Sequence, residues 1–155
     1  MIGSKILLVD DEVVFTQNMA KLLTNRGYIV TPVNSGEAAI QALEEKDFDV
    51  VVLDLKMPGM DGITTLKEIK KLGLLTETLI LTGHGSIDTA LEAIKLGAYD
   101  YLTKPCEIDE LVGKIEGAWE TKDEAVKKDI EQKIQKVVES PASVFEVFPR
   151  SRRKG

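Results

Sequence analysis

The chain has one cysteine, one histidine and one tryptophan in 155 residues, and no apolar run long enough to span a bilayer. Each scarcity removes a class of protein. A single Cys106 rules out an internal disulfide and a cysteine metal cluster, which suits a cytoplasmic location. The lone His84 is too little for a dedicated transition-metal centre and reads as an exposed loop residue. A spanning helix needs about 20 apolar residues, so no membrane segment is expected. Met1-Ile2-Gly3-Ser4 leads straight into a short strand, with no secretory signal. Charge is unevenly spread. Residues 1–120 carry 11 Lys and Arg against 20 Asp and Glu, whereas residues 121–155 carry 9 against 6. The acidic body argues against direct nucleic-acid binding, and Arg150-Ser151-Arg152-Arg153-Lys154 is too short and too terminal to outweigh it.

What is present is organised around Asp49-Val50-Val51-Val52-Leu53-Asp54 and the turn Leu55-Lys56-Met57-Pro58-Gly59-Met60-Asp61-Gly62. Four consecutive apolar residues, three of them β-branched, bounded by a Pro/Gly cluster, read as a strand buried on both faces. Such strands belong to parallel sheets between helices, with ligand chemistry just beyond their carboxyl ends. Asp54 stands at that end, where a carboxylate must be paired, hydrogen-bonded or bound to metal unless it merely caps the following turn.

Four more strands are expected: Lys5-Ile6-Leu7-Leu8-Val9, Tyr28 to Val33, Leu79-Ile80-Leu81 and Tyr99 to Thr103. Pro32 marks the second as edge-like. Helical spacing links Phe15, Met19, Leu22 and Leu23, then Ala39, Ile40 and Leu43 behind a Ser35 cap. It recurs in Ile63, Leu66 and Ile69 behind an Asp61 cap, in Ile87, Ala90, Leu91 and Ile94, and in Ile108, Leu111, Val112, Ile115 and Trp119. Gly27, Gly73 and Gly97 read as helix stops. Five strands alternating with five helices give an α/β fold, a doubly wound parallel sheet with helices on both faces.

In the strand order 2-1-3-4-5, strands one and three are neighbours and flank the crevice where ligands bind. Asp10 and Asp11, Asp54, Thr82 and Lys104 would then converge from four strand ends. Two carboxylates about 4 Å apart repel by about 4 kcal/mol at an effective dielectric of about 20, so a counter-charge or a proton is required. An oxygen-only, carboxylate-rich site suits Mg²⁺, and a lysine opposite would neutralise phosphate charge. Such a site handles phosphoryl groups, with an aspartate as nucleophile.

From about residue 4 to 120 these motifs resemble a two-component response-regulator receiver domain. Val9-Asp10-Asp11-Glu12, the strand ending in Asp54, Met57-Pro58-Gly59-Met60-Asp61-Gly62, Thr82-Gly83 and Lys104-Pro105 carry the likeness. Thr82-Gly83-His84-Gly85-Ser86 and Leu96 to Cys106 further resemble receivers of nitrogen-regulation-type transcriptional activators. The resemblance implies a phosphoryl acceptor at Asp54, Mg²⁺ held by Asp10, Asp11, Asp54 and the Lys56 carbonyl, and phosphoryl contacts from Thr82 and Lys104. It implies a switch pair, Thr82 and Tyr101, although Tyr101 also fits a half-buried strand aromatic. It implies a cis Lys104-Pro105 peptide, a donor that is a sensor histidine kinase or phosphotransfer protein, and a signalling protein rather than an enzyme. Rival readings fare worse. An aspartyl-nucleophile phosphatase wants an acid where Lys56 stands, and Asp10-Asp11-Glu12 would repel a flavin phosphate. A plain protein-interaction module of the same fold would not need the acid–lysine arrangement.

Residues 121–155 form a separate expectation: a helical extension or linker reaching about Glu139, with a disordered end from Arg150 to Gly155. Val126, Ile130, Ile134 and Val137 make a narrow apolar stripe that needs a covering surface. The readings are a homodimer through the tail or adjacent receiver face, or a linker to a downstream partner or a missing output domain. Asp123 and Lys133 interrupt any long heptad.

Overall fold

A computed structural model describes residues 3–83 and 87–147, with the backbone alone for Phe145 and Val147. The readings of His84 as a loop residue and of Arg150–Gly155 as disordered lie outside those residues. The strands are β1 (Lys5–Val9), β2 (Ile29–Val33), β3 (Val50–Leu53), β4 (Glu77–Thr82) and β5 (Asp100–Thr103). All pair in parallel, in the order β2-β1-β3-β4-β5. Between them run α1 (Val13–Asn25), α2 (Gly36–Glu45), α3 (Gly62–Lys71) and α4 (Ile87–Lys95); α5 (Ile108–Glu139) follows the last strand. A 3₁₀ turn at Pro141–Ser143 and a short α6 (Val144–Val147) fold back on α5.

Alternation along the strands divides the core in two. Leu7, Val9, Val51, Leu53 and Ile80 meet α2, α3 and α4, whereas Ile6, Leu8, Val50, Val52, Leu79 and Leu81 meet α1 and α5. All four residues of β3 are buried, because that strand lies between β1 and β4 under helices on both faces. Pro32 is tolerated because β2 is an edge strand and pairs only with β1. Ser35 and Asp61 cap their helices, accepting from the Ala38 N–H at 3.1 Å and the Thr64 N–H at 2.8 Å. Gly27, Gly73 and Gly97 stop helices at positive φ, the conformation that favours glycine.

Several expected core faces differ in detail. In α1, Met19 and Leu23 are buried but Leu22 is 46% exposed, since the strip facing the sheet is narrower than the sequence spacing allows. In α4, Ala90 and Ala93 take the interior and Ile94 packs partly against the core, while Ile87 and Leu91 face out. Strand β4 begins two residues earlier than its apolar run, at Glu77, pairing with Val50 of β3. Tyr99 lies just outside β5 and packs with the α1–α5 core. Of the expected α5 face, Leu111 and Ile115 are fully buried, joined by Ala118, while Ile108, Val112 and Trp119 are partly buried.

Two features of the packing have measurable consequences. Helix α3 starts hard against the strand that delivers Asp54: a Cβ on Gly62 would lie 2.3 Å from Leu55 Cα and 2.5 Å from the Asp54 carbonyl oxygen. Gly62→Ala should therefore lower stability by about 1–3 kcal/mol in urea unfolding, the usual range for overpacking. Gly113, exposed on α5 with open space around it, is the control, and Gly113→Ala should raise stability by about 0.5–1 kcal/mol. Thr78 is fully buried in β4 and its Oγ1 has no hydrogen-bond partner among the described residues. Thr78→Val should stabilise by about 1 kcal/mol in the same assay, because it removes an unsatisfied buried hydroxyl at nearly constant volume.

Candidate functional site

The parallel ladder runs one residue past two strands. The Asp10 N–H donates to the Val33 carbonyl at 3.2 Å and the Asp54 N–H to the Val9 carbonyl at 2.9 Å. Both acids therefore stand on the last rung of adjacent strands, Asp10 at 1% and Asp54 at 5% exposure. Asp11 is less buried, and ligand oxygens of Asp10, Asp11 and Asp54 lie within 4.8 Å of one another. Strand β4 brings Thr82, whose hydroxyl donates to Asp54 Oδ1 at 3.1 Å. The Lys56 N–H donates to the same oxygen at 3.3 Å, while its side chain is exposed. Strand β5 brings Lys104 through a cis Lys104-Pro105 peptide. Its ammonium bonds Asp10 Oδ2, lies 3.4 Å from Glu12 Oε1 and stops 3.9 Å from Asp54 Oδ2.

Electrostatics follow from this crowding. Burial raises the Asp54 pKa above the ordinary carboxylate value, and the nearby Asp10 raises it further. Lys104, the Lys56 N–H and the Thr82 hydroxyl pull the other way without cancelling the rise. For Lys104, burial disfavours the ammonium, but the hydrogen bond and charge of Asp10, with Asp54 and Glu12, hold its pKa above the usual lysine value. The site thus carries more negative than positive charge. Three convergent carboxylates with an oxygen-only donor set fit a hard divalent cation.

The expected residues Asp10, Asp11, Asp54, Thr82 and Lys104 meet here, and at Lys56 the contact seen is its N–H to Asp54 rather than the carbonyl expected. Tyr101 is half-buried one strand away, packed against the α2–α4 core, and its backbone registers with Ile80 of β4. The Cys106 thiol is pushed up by burial, then by Glu110 and Glu107, so it stays protonated at neutral pH.

Some contributors escaped the sequence reading. Asn34 Nδ2 donates to the Asp10 carbonyl at 2.8 Å and to Thr16 Oγ1 at 3.0 Å. The strand order was the available signal, since an edge strand beside β1 must end next to Asp10. The Phe15 ring lies under the Lys104 ammonium, 4.1 Å from centroid to nitrogen. Helical spacing alone gives Phe15 only a packing role.

Comparisons agree with this geometry. Residues 6–116 match the family model described as Response regulator receiver domain. The transcriptional regulatory protein ZraR of Escherichia coli K12 is 45% identical over 113 residues, which is 73% of this chain and 26% of ZraR. The chain thus spans about a quarter of the length of that relative. The transcriptional regulatory protein FixJ of Bradyrhizobium diazoefficiens is 38% identical over 146 residues, 91% of this chain and 71% of FixJ. A crystal structure of a receiver domain protein from Clostridium thermocellum superposes with a TM-score of 0.74 at 38% identity, covering 77% of this chain and 97% of that one. With the acids, hydroxyl and lysine on the strand ends that the sequence motifs require, this chain belongs to the response regulator receiver domain family.

Proposed function

We propose that Asp54 is the phosphoryl acceptor of this receiver, taking the group from a phosphohistidine on a sensor histidine kinase or a phosphotransfer protein. The donor N–P bond breaks, an O–P bond to the Asp54 carboxylate forms, and the freed imidazole takes a proton from solvent. One observation carries the reading: Asp54 is a buried carboxylate with its Oδ1 held by Thr82 and Lys56, and its Oδ2 facing Lys104. That arrangement fixes the nucleophile and leaves one oxygen directed at a cation. Mg²⁺ is assigned to Asp10, Asp11, Asp54 and the Lys56 carbonyl; bound there it would neutralise the joint charge of carboxylates and phosphoryl group.

The chain's own groups do the rest. Thr82 transfers its hydrogen bond from Asp54 to a phosphoryl oxygen, and Lys104 neutralises another. Among the described residues nothing lies within 4 Å of a Cβ built on Gly83, which fits an open approach. Thr82 and Tyr101 form the switch: two arrangements pre-exist, and phosphorylation favours the one in which both have moved. Support comes from the backbone, where the Lys104 N–H donates to the Thr82 carbonyl at 2.7 Å, tying the hydroxyl-bearing residue to β5. The face around α4, β5 and α5, with Ile87 and Leu91 exposed, would then change its partner preference.

The protein is read as a cytoplasmic phosphoprotein rather than an enzyme with a foreign substrate. It acts on a downstream partner or through an output domain outside this chain, and does not itself bind nucleic acid. Residues 121–155 serve as the extension or linker, with a homodimer as the alternative use. Among the described residues no helix is long and apolar enough to cross a membrane.

Acetyl phosphate with Mg²⁺ should add one phosphoryl group to the wild-type chain by intact mass, with none added in chelator or on Asp54→Asn. Equal modification of Asp54→Asn would sink the assignment. The same substitution should raise the thermal midpoint of the metal-free protein, since it removes a buried charge from an over-acidic site. Excess Mg²⁺ should narrow that gap.

Thr82→Ala should still accept the phosphoryl group but lose the conformational response. Amide shifts of Tyr101 and Lys104, recorded with and without beryllofluoride, read this out. Responses equal to wild type would remove Thr82 from the switch.

A further inference from the structure

The resting position of Lys104 raises a problem of occupancy at Asp10. Both carboxylate oxygens there are engaged: Oδ1 accepts the Glu12 N–H at 3.0 Å, and Oδ2 accepts the Lys104 ammonium. A divalent cation arriving at Asp10, directly or through a water, would stand against the ammonium already bonded there, and the two positive charges repel. The Glu12 amide sits at the start of α1 and is fixed by the chain, so of the two partners the charged and flexible lysine is the one that repulsion displaces. Its side chain is only 17% exposed, and it cannot simply retreat into solvent. Helix α1 supplies what surrounds it: Glu12 Oε1 at 3.4 Å and the face of Phe15 at 4.1 Å. The Glu12 side chain is 67% exposed, so it can rotate towards the ammonium with little desolvation. The Phe15 ring attracts a cation but cannot bind the incoming metal in the lysine's place.

We infer that Glu12 and Phe15 form a second seat for the Lys104 ammonium, which receives the lysine when a divalent cation takes Asp10. Both are positioning residues, acting on the metal and the phosphoryl group only through Lys104. The seat keeps the lysine inside the site, within reach of the phosphoryl group at Asp54, rather than leaving it to compete for Asp10. This inference rests on the metal assignment proposed above.

A simple alternative is that Glu12 attracts the cation as one more negative charge, and a double-mutant cycle separates the two. Mg²⁺ binding to the full chain would be measured by calorimetry for wild type, Glu12→Gln, Lys104→Met and the double variant. With Lys104 present, Glu12→Gln should weaken Mg²⁺ binding by about fivefold or more; in the Lys104→Met background the loss should be about twofold or less. Phe15→Leu keeps an apolar side chain on α1 and removes the ring. It should weaken binding by about two- to threefold with Lys104 and leave the Lys104→Met background unchanged. Equal losses in both backgrounds would overturn the seat while leaving the metal site intact. No Mg²⁺ uptake by wild type would overturn the metal assignment and the seat with it.

Discussion

Two buried carboxylates on adjacent strands, with one ammonium between them, set the terms for the rest of this molecule. Asp10 and Asp54 are almost without solvent, and burying such charge is tolerable only when it is bonded or neutralised. Lys104 supplies that neutralisation from a strand two positions beyond β3, so the fold must close around β1, β3, β4 and β5 for the acids to be stable at all. Neutralisation is incomplete, since Asp10, Asp11 and Asp54 face one ammonium; burial first, and then Asp10, hold the Asp54 pKa above its ordinary value despite Lys104. That residue of negative charge makes the site hospitable to a cation, and it also makes the metal-free site a cost to stability. Site chemistry and fold stability are therefore opposed here, and the sheet's apolar interior carries the difference.

The sheet order turns a list of separate residues into a coupled unit. Thr82 bonds Asp54 through its hydroxyl and Lys104 through its carbonyl, so one residue contacts both the buried Asp54 carboxylate and the segment carrying the lysine. Gly62 allows α3 to press on the Asp54–Leu55 backbone, which stiffens the same strand end from the other side. At β2, Val33 and Asn34 bracket the Asp10 peptide, accepting its N–H and donating to its carbonyl. Each of these strand ends is thus held by its neighbour.

Architecture was legible because its signals are local and redundant. Val50–Leu53 reads as a central strand from composition alone, Pro32 marks its strand as an edge, and Ser35 and Asp61 announce helix starts that the structure bears out. The acids, Thr82 and Lys104 were legible for the same reason, each closing an apolar run. Residues acting across elements were not. Asn34 and Phe15 touch the site only because β2 lies beside β1 and α1 beside β5's end, which is tertiary information. Leu22, Ile87 and Leu91 follow helical spacing yet stay exposed, because periodicity gives the direction of an apolar face but not its width.

Helix α5 shows where local reasoning stops at an either-or. Its sequence permits a break near Glu120 or a continuous run, and the structure has one helix from Ile108 to Glu139. Leu111, Ile115 and Ala118 secure the first turns in the core. Past them, the Lys122–Asp49 ion pair at 2.8 Å holds the helix to the amino-terminal edge of β3, and Asp129 still borders the groove beneath the sheet. Along this stretch, the Asp123–Lys127 and Asp129–Lys133 pairs contribute only about 0.3–0.5 kcal/mol each. Ile130, Ile134 and Val138 meanwhile remain exposed. Glu107 is the N-cap of this helix, three residues after Lys104, and its N–H donates to Glu110 Oε1 at 3.5 Å. A continuous helix is stiff, and at 1.5 Å per residue the stretch past Lys122 extends about 25 Å.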